Sequence, residues 1–472
     1  MELPIRLIAD LPKELAESLE QVRTPMSGLT QAIQAKTDVI IVLDDDPTGS
    51  QTVHGVSVLT DWDLKSIIAE LERGSSLFFI LTNSRSLTEN KAKDLAYTIG
   101  QNIKKAQQIT GKQCMLISRS DSTLRGHYPA EVDALLEGLG DAKSLTIIIP
   151  AFFEGGRYTI EDVHYVREAE RLIPAAQTAY GRDHYFGFEH SQLAAWIEEK
   201  TAAKVVSEEV VSFSIEELRT ANEEKLIAKL DQCRSGQVVI VNALCYQDLQ
   251  KFALALFRSQ QAVICRTAAS FVAALQNQAP KPWLGQEILA EAHKKQGGLV
   301  VVGSYVPKTT QQLAHLRASI TAQFIEIEVP KLLAEADIVP KVNQLSQEID
   351  DHLQAGQDVV LYTSRDFIAK DEQDEGLDLG AKISTFISQI VGQLSRPPRY
   401  LISKGGITSS DIATKSLQIK AAKVMGQILP GVPVWQAGPE SLFPDLPLII
   451  FPGNVGQTDS LSLVMQKLKT RP

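Results

Sequence analysis

Short apolar segments alternate along the chain with longer segments in which apolar residues recur at helical spacing. In the first part, the apolar segments predict strands at residues 38–43, 56–59, 77–81, 113–117, 144–149, 238–241 and 262–265. Helices are predicted between them, for example at residues 89–107 and 129–139. Such alternation is typical of a mainly parallel sheet with helices on both faces. We therefore predict an α/β fold for this part of the chain.

The same pattern starts again near residue 298. It predicts strands at residues 298–302, 323–327, 358–362, 400–402, 432–435 and 448–451, with helices at 308–320, 342–354, 383–394 and 408–418. A polar stretch with two prolines, residues 277–297, separates the two patterns. We predict two α/β domains, at residues 36–285 and 298–472, each with a mainly parallel sheet flanked by helices. Residues 1–35 carry apolar and charged residues at helical spacing and are predicted to form a helical extension.

The apolar segment 39–43 ends abruptly at three carboxylates, Asp44, Asp45 and Asp46. The carboxyl end of a buried strand is where open α/β sheets bind their ligands. Adjacent carboxylates repel one another, so a metal, a basic side chain or a shared proton is expected to balance them. Gly49, in the turn that follows, allows the backbone to approach a ligand closely. The alternative is an acidic turn that only caps the next element.

Polar side chains also follow three further predicted strands. One group contains Arg85, another contains residues 155–157, and the segment RSDSTLR contributes Arg119, Ser120, Asp121 and Ser122. Arginine binds a carboxylate through paired hydrogen bonds, and Asp and Ser bind hydroxyl groups. Together these groups suit a polyhydroxylated acid as ligand. The alternative for each arginine is a structural ion pair with a neighbouring acid.

Three glycine-containing turns connect predicted strands to predicted helices in the second part. They read VVGSYVPKTTQQL (301–313), LISKGGITSSDIA (401–413) and IIFPGNVGQTDSL (449–461). A glycine turn before a helix presents backbone N–H groups to anions, and Lys404 would add a positive charge. The three turns predict a site for nucleotide phosphates, although each glycine alone could serve only turn geometry. Neither a Walker A pattern nor GxGxxG is present.

Composition narrows the function classes. Apolar residues make up 44% and charged residues 22% of the 472 residues, as in ordinary globular enzymes. The net charge of −10 disfavours nucleic acid as a partner. The four cysteines lack CxxC spacing, and neither a signal peptide nor a membrane-spanning apolar run is found. We therefore expect a cytoplasmic protein with free thiols and no membrane partner, and leave open whether it is a homo-oligomer.

The motifs DDDPTGSQT, TNSR, RSDSTLRG, PAFFEGGR, VGSYVPKTTQQL, KGGITSSD and FPGNVG together resemble the four-carbon acid sugar kinase family. The resemblance covers about residues 37–465. It implies ATP-dependent phosphorylation of a hydroxyl of threonate, erythronate or a 3-oxo-tetronate. It also implies an N-terminal domain for the acid sugar, a C-terminal domain for the nucleotide and an active site in the cleft between them. Asp44 departs from the family, which usually has a small residue there, as do Ile407 and Asn454 in the glycine turns.

The resemblance also implies roles for particular residues. The acid sugar would contact Asp45, Arg85, Arg119, Ser120, Asp121 and Ser122. ATP would contact Ser304, Gly405, Gly406, Ile407, Thr408 and Gly453. Lys404 and Mg²⁺, whose protein ligands the sequence does not identify, would balance the phosphate charge. Asp45 or Asp121 would accept the hydroxyl proton, and we prefer Asp45 because acidic neighbours would raise its pKa.

Two other classes of protein fit parts of the sequence. In a phosphohydrolase, Asp44, Asp46 and Thr48 would form a DxDxT motif whose first Asp attacks phosphorus, but the glycine turns would then have no role. A non-catalytic sensor of sugar acids would bind ligand without turnover, and the acidic cluster would then be hard to explain.

Overall fold

A computed structural model describes residues 3–141, 143–335, 337–364 and 373–469. The strands are β1 (Arg6–Leu7), β2 (Val39–Asp44), β3 (Ser57–Leu59), β4 (Leu77–Leu81), β5 (Cys114–Arg119), β6 (Leu145–Ile149), β7 (Arg157–Ile160), β8 (Val163–Glu168), β9 (Arg171–Pro174), β10 (Val211–Phe213), β11 (Val238–Val241), β12 (Val263–Thr267), β13 (Leu299–Val302), β14 (Gln323–Ile327), β15 (Val359–Thr363), β16 (Leu401–Lys404), β17 (Ala421–Leu429), β18 (Val432–Ala437) and β19 (Pro447–Phe451).

The helices are α1 (Lys13–Ser18), α2 (Leu29–Lys36), α3 (Leu64–Arg73), α4 (Glu89–Thr110), α5 (Ala130–Leu139), α6 (Leu193–Lys200), α7 (Ile215–Thr220), α8 (Glu223–Asp231), α9 (Tyr246–Arg258), α10 (Ala269–Gln276), α11 (Pro307–Ser319), α12 (Val329–Ala334), α13 (Val339–Gln354), α14 (Gln373–Gly392), α15 (Gly406–Asp411) and α16 (Ser460–Lys467). A π-helical turn, Ile412–Ser416, extends α15. No helix among the described residues is long and apolar enough to cross a membrane.

The chain forms two compact units. The first unit comprises Met1–Val53 and Asp61–Pro280, and the second comprises His54–Thr60 and Lys281–Pro472. The segment with β3 therefore belongs to the second unit, whereas the sequence placed it in the first domain. The reason is long-range pairing: β3 forms an antiparallel ladder with β17, for example Val58 opposite Ala422. A partner so distant along the chain cannot be inferred from local periodicity.

A parallel sheet forms the centre of the first unit. Its strand order is β10-β11-β6-β12-β5-β2-β4, and every neighbouring pair is parallel. Strand β2 is buried along its whole length, as expected for a central strand covered on both faces. Helix α4 buries Ala92, Ala96, Ile99 and Ile103, which recur at three- and four-residue spacing, and ends at Gly111 in the left-handed conformation.

A small antiparallel sheet, β1-β9-β8-β7, adds to the first unit. Leu11 and Leu19 of the N-terminal segment pack there against Tyr158 and Tyr165. The prediction that residues 1–35 are helical is therefore only partly correct. Alongside α1 and α2, the segment contains β1, whose backbone pairs with β9. Strand β1 has only two residues and pairs with a strand about 165 residues away. The local sequence therefore contains no periodic pattern that could predict it.

The second unit contains a mixed sheet with the order β3-β17-β18-β19-β16-β13-β15-β14. The pairs from β19 to β14 are parallel, and those from β3 to β19 are antiparallel. The sequence had predicted a mainly parallel sheet and missed β17. Apart from this antiparallel part, the α/β class with largely parallel sheets is confirmed. The position of the active site between two domains stays a prediction.

Candidate functional site

Four strands of the first unit end side by side. Asp44, the last residue of β2, lies opposite Leu81 of β4 and Arg119 of β5, and Arg119 lies opposite Thr267 of β12. Parallel strands in this register bring the residues that follow them to one edge of the sheet. The polar groups predicted from separate segments, around Asp45, Arg85 and residues 119–122, therefore meet there.

Asp45 lies at the centre of this cluster and is only 3% exposed. Arg85 donates two hydrogen bonds to its carboxylate, from Nε at 3.1 Å and from Nη2 at 2.6 Å. Ser120 Oγ donates a third at 2.6 Å, and Arg119 Nη1 lies 3.7 Å away. Burial acts to raise the pKa of Asp45, but Arg85, Arg119 and Arg266 outweigh it and the pKa falls. The expectation that acidic neighbours would raise this pKa is wrong.

Asp44 has the opposite environment. Its carboxylate accepts a hydrogen bond from Arg119 Nη1 at 3.1 Å and is 3% exposed. Burial raises its pKa to about 7 against the attraction of Arg119, with Asp45 and Asp46 adding to the rise. Gly49 covers the carboxylate so closely that a β-carbon there would lie 1.9 Å from Asp44 Oδ2. The repulsion expected from sequence is thus relieved by guanidinium groups and by a carboxyl that holds its proton near neutral pH.

Asp46 closes the turn after β2. Its Oδ1 accepts a hydrogen bond of 2.8 Å from the Thr48 backbone N–H, which caps the 3-10 helix at Pro47–Thr52. Its Oδ2 lies 3.6 Å from Arg85 Nη1. The alternative of a purely capping acid therefore describes part of what Asp46 does. Among the described residues, no group of three or more His, Cys, Asp or Glu side chains is arranged to hold a metal ion.

Asp121 lies at the more open side of the cluster. Arg125 Nε donates to its Oδ2 at 2.9 Å, Thr123 Oγ1 donates to the same oxygen, and Arg85 Nη1 lies 3.7 Å from Oδ1. Burial opposes its ionisation, but Arg85 and Arg125 together lower its pKa. The Ser122 side chain is buried, and its backbone oxygen lies 2.7 Å from His164 Nε2. The structure thus groups Asp121 with the other site residues and gives Ser122 a supporting place.

Arg125 was not assigned a role from the sequence. Its Nη1 donates to Asp183 Oδ2 at 3.2 Å, and its guanidinium lies 5.0 Å from the Tyr180 ring centroid. Its side chain is 22% exposed, against 4% for Arg119. Arg125 is therefore more accessible than Arg119, which the sequence had placed on the ligand. The signal was its presence in the motif that carries Arg119 and Asp121.

Arg266 and Glu131 were also missed. Arg266, near the end of β12, donates from Nη1 to Ser118 Oγ at 3.2 Å and lies 3.8 Å from Glu131 Oε2. Both residues are at least nine-tenths buried. Arg266 directly follows the predicted strand 262–265, as other site residues follow their strands. This position could have identified it as a site residue from the sequence. Glu131, on α5, gave no such signal.

In the second unit, the three glycine turns follow strands β13, β16 and β19, which are neighbours in the sheet. A β-carbon on Gly303 would lie 2.3 Å from Thr408 Oγ1, and one on Gly453 would lie 2.7 Å from Ser304 Oγ. Gly405 has a φ of 121° and would meet the Ser304 side chain at 3.1 Å. The three turns thus pack against one another at a spacing that side chains would disturb. The predicted residues Ser304, Gly405, Thr408 and Gly453 are together.

Helix α15 begins at Gly406, directly after Gly405. The first N–H groups of a helix have no acceptor within that helix, so those of Gly406, Ile407 and Thr408 are oriented toward its N-terminal end. The Ile407 side chain is 55% exposed. Thr309, which the sequence did not single out, places its Oγ1 2.9 Å from the Gly453 carbonyl oxygen. The turns thus bring backbone groups of three segments close together, and free N–H groups at a helix start suit an anion.

Lys404 has a different environment from the one expected for a phosphate ligand. It is fully buried, its Nζ donates to the Pro452 carbonyl oxygen at 2.6 Å, and it lies 3.9 Å from the Phe451 ring centroid. Burial, and then Lys308, lower its pKa to about 7. As the last residue of β16, it points to a core-facing side of the sheet, so the predicted phosphate contact is not supported. Lys308, exposed on the first turn of α11, is the better-placed cation.

Two family models match the chain. A sugar-binding N-terminal domain matches residues 40–275, and a nucleotide-binding C-terminal domain matches residues 299–461. The chain belongs to the four-carbon acid sugar kinase family. The resemblance seen in the sequence motifs is thereby confirmed. A D-erythronate kinase from Heliobacterium modesticaldum is 26% identical over 404 residues, which cover 82% of each chain.

Solved structures show the same fold. Protein HI1011 from Haemophilus influenzae aligns over 91% of this chain and all of its own, with a TM-score of 0.60 and 17% identity. A Salmonella typhimurium LT2 protein aligns over 90% of this chain and 98% of its own, with a TM-score of 0.66 and 19% identity. At such identities the likeness concerns the fold alone. Together with the family models, the D-erythronate kinase relative supports a kinase acting on a small molecule.

Proposed function

We propose that the protein is an ATP-dependent kinase that phosphorylates a hydroxyl group of a four-carbon acid sugar of the erythronate, threonate or 3-oxo-tetronate type. The convergence of three glycine turns on neighbouring parallel strands carries this proposal, because it offers backbone N–H groups to phosphates. The relative described as a D-erythronate kinase favours erythronate among these substrates. A cytoplasmic location and a homo-oligomeric state stay predictions.

In the first unit, Arg85 is the proposed contact for the acid sugar. Two of its nitrogens are bound to Asp45, whereas Nη1 lies 3.6 Å from Asp46 and 3.7 Å from Asp121. These distances exceed a hydrogen bond, so Nη1 retains protons for a substrate carboxylate or hydroxyl. Arg125 is the second accessible guanidinium. Arg119, buried against Asp44, holds the cluster in place rather than the substrate.

Asp45 and Asp121 are the proposed catalytic carboxylates. Asp45 is surrounded by Arg85 and Ser120, and its role is to orient Arg85. Asp121 is 13% exposed at its side chain and is our preferred partner for the reacting hydroxyl. The pKa of each is lowered, so neither is a strong base in the free protein. Phosphoryl transfer through a loose transition state depends mainly on positioning and charge, so orientation of the hydroxyl is sufficient.

In the second unit, the turns at Gly303, Gly405 and Gly453 are proposed to bind the ATP phosphates through backbone N–H groups, with Lys308 adding charge. Bound Mg²⁺ would supply positive charge to the phosphates, and such an ion binds through few protein carboxylates. In the first unit, Asp46 and Asp121 are partly exposed carboxylates that could hold an ion.

The phosphohydrolase alternative conflicts with the environment of Asp44. That reading needs Asp44 as a nucleophile with free access to phosphorus. Instead its carboxylate is buried, bonded to Arg119 and covered by Gly49. With a pKa of about 7, this carboxyl is also only partly ionised at neutral pH.

A substrate screen tests the proposal. The purified protein would be incubated with ATP, Mg²⁺ and the stereoisomers of erythronate, threonate and 3-oxo-tetronate, with ADP release as readout. We expect ADP only when an acid sugar is present. Phosphate release from a phosphoester without nucleotide would support the hydrolase instead. Binding of an acid sugar without turnover would support the sensor.

A further inference from the structure

A small cavity of about 10 Å³ lies in the first unit beside Asp45. Its polar lining consists of Asp45, Thr82, Ser118, Arg119 and Glu131. Its remaining lining is aliphatic and comes from β2, α4 and α5. A cavity with so many polar side chains differs from the dry apolar voids found in protein cores. It connects the acidic cluster at the strand ends with the first turn of α5.

Two polar atoms of the lining residues have no hydrogen-bond partner in the described structure: Glu131 Oε2, an acceptor, and Arg119 Nε, a donor. The two residues are 9% and 4% exposed. Leaving such a buried atom unpaired is costly, and more so for a charged group. The nearest cation to Glu131 Oε2 in the ion-pair geometry is Arg266 Nη1, at 3.8 Å. That separation is too long for a direct hydrogen bond and suits a bridging molecule.

A single water molecule meets these requirements. It donates and accepts, so it can satisfy Glu131 Oε2 and Arg119 Nε together, with the hydroxyls of Thr82 and Ser118 as further partners. The volume is close to the roughly 10–15 Å³ that one water needs. Buried waters with about three such partners are part of the structure and are costly to remove.

We propose that Glu131 is a positioning residue which, with one internal water and Arg266, fixes Arg119 and Asp45 and so keeps Arg85 oriented toward the acid sugar. The water site rests on the geometry alone; the effect on turnover rests also on the proposed kinase function. Glu131 places its carboxyl next to Arg266, whose Nη1 also donates a hydrogen bond to Ser118 Oγ. Burial raises the pKa of Glu131 although Arg266 opposes the rise, so the ionised carboxylate depends on that neighbour. Without Glu131, Asp45 would be the carboxylate left to balance the charge of Arg266. Asp45 would then be shared between Arg266 and Arg85, and Arg85 would be oriented less firmly.

The variants Glu131→Gln and Glu131→Leu test this role. Glu131→Gln keeps the shape and an oxygen for the water but loses the charge, and Glu131→Leu loses both. We expect kcat with the best acid sugar to fall about tenfold for Glu131→Gln and about a hundredfold for Glu131→Leu, because displaced reacting groups lose rate steeply. KM for ATP should change less than twofold. Glu137→Gln, the same exchange at an exposed position of α5, is the matched control and should behave as the wild type.

A crystal structure of the wild-type protein at a resolution that shows waters provides the second, independent arm. We expect an ordered water within hydrogen-bond distance of both Glu131 Oε2 and Arg119 Nε, and its loss in Glu131→Leu. A dry cavity, or a Glu131→Gln protein with wild-type kcat, would overturn the proposal. If the wild-type protein phosphorylates no acid sugar, the proposed function fails while the water still decides the structural part.

Discussion

Asp44 and Asp45 are adjacent in sequence and equally buried, yet their carboxyl groups have opposite proton affinities. The difference comes from the neighbours: Arg85 forms two hydrogen bonds to Asp45, whereas Asp44 has one from Arg119. Burial therefore prevails at Asp44 and ion pairing prevails at Asp45. At the scale of single residues, Asp44 therefore retains a proton more readily, whereas Asp45 is ionised and binds Arg85.

The orienting role of Asp45 predicts a large kinetic effect. Asp45→Asn removes the charge that holds Arg85 while keeping the side chain's shape. We expect kcat/KM for the acid sugar to fall by roughly a hundredfold or more, because Arg85 loses its fixed orientation. Steady-state kinetics measure this, with Asp94→Asn on the exposed face of α4 as control. Wild-type turnover in Asp45→Asn would contradict the orienting role of Asp45.

The proton held by Asp44 predicts a dependence of stability on pH. Its pKa of about 7 in the folded protein lies above the ordinary 3.8, so the folded state binds a proton that the unfolded chain releases between these values. The stabilisation is complete below about pH 4 and is lost as the pH rises through 7. Asp44→Asn lacks this titration.

Denaturant unfolding at several pH values checks this expectation. Relative to the wild type, Asp44→Asn should gain on the order of 2–4 kcal/mol in unfolding free energy between pH 4.5 and pH 7.5. The comparison cancels the titration of the other acids, which both proteins share. Parallel curves for the two proteins would show that Asp44 is ionised throughout this range.

At the scale of elements, the glycine turns after β13, β16 and β19 act as one unit because each would collide with another if it carried a side chain. Gly453→Ala would place a methyl group 2.7 Å from Ser304 Oγ. We expect KM for ATP to rise about tenfold, with KM for the acid sugar changed less than twofold. Gly285→Ala, whose new methyl would meet only the end of the Glu287 side chain, is the control. An unchanged KM for ATP in Gly453→Ala would contradict a phosphate role for that turn.

The elements also show what the sequence can and cannot predict. Strands β2, β4 and β5 were predicted within a residue or two of their observed ends, because buried parallel strands are short apolar runs bounded by polar turns. Their polar ends, with Asp45, Arg85 and Arg119, followed from the same pattern. The pattern could not show that the Lys404 side chain is buried. Successive side chains of a strand point to opposite faces, and the sequence does not tell which face a single residue takes. Nor could it reveal Glu131, whose role depends on a neighbour on another strand.

At the scale of the whole molecule, the proposed function assigns one substrate to each unit. Hydrogen–deuterium exchange checks this assignment in the intact protein. A non-hydrolysable ATP analogue should slow amide exchange at residues 303–308, 404–408 and 452–456, and erythronate should slow it at residues 83–85 and 119–125. Protection of residues 119–125 by the nucleotide, with none at the glycine turns, would reverse the assignment.

Residues 54–60 belong to the second unit although residues of the first unit flank them in sequence. This limits how the chain can be divided into two fragments. No single cut in the chain yields two fragments that are each complete, because β3 lies within the first half of the sequence and pairs with β17. A fragment that stops at Pro280 would carry β3 without β17, and the complementary fragment would expose the backbone of β17. Unpaired strand edges promote self-association, so each fragment expressed alone is expected to aggregate. Replacing residues 54–60 by a short polar loop in the N-terminal fragment, and fusing them to the C-terminal fragment, should prevent this.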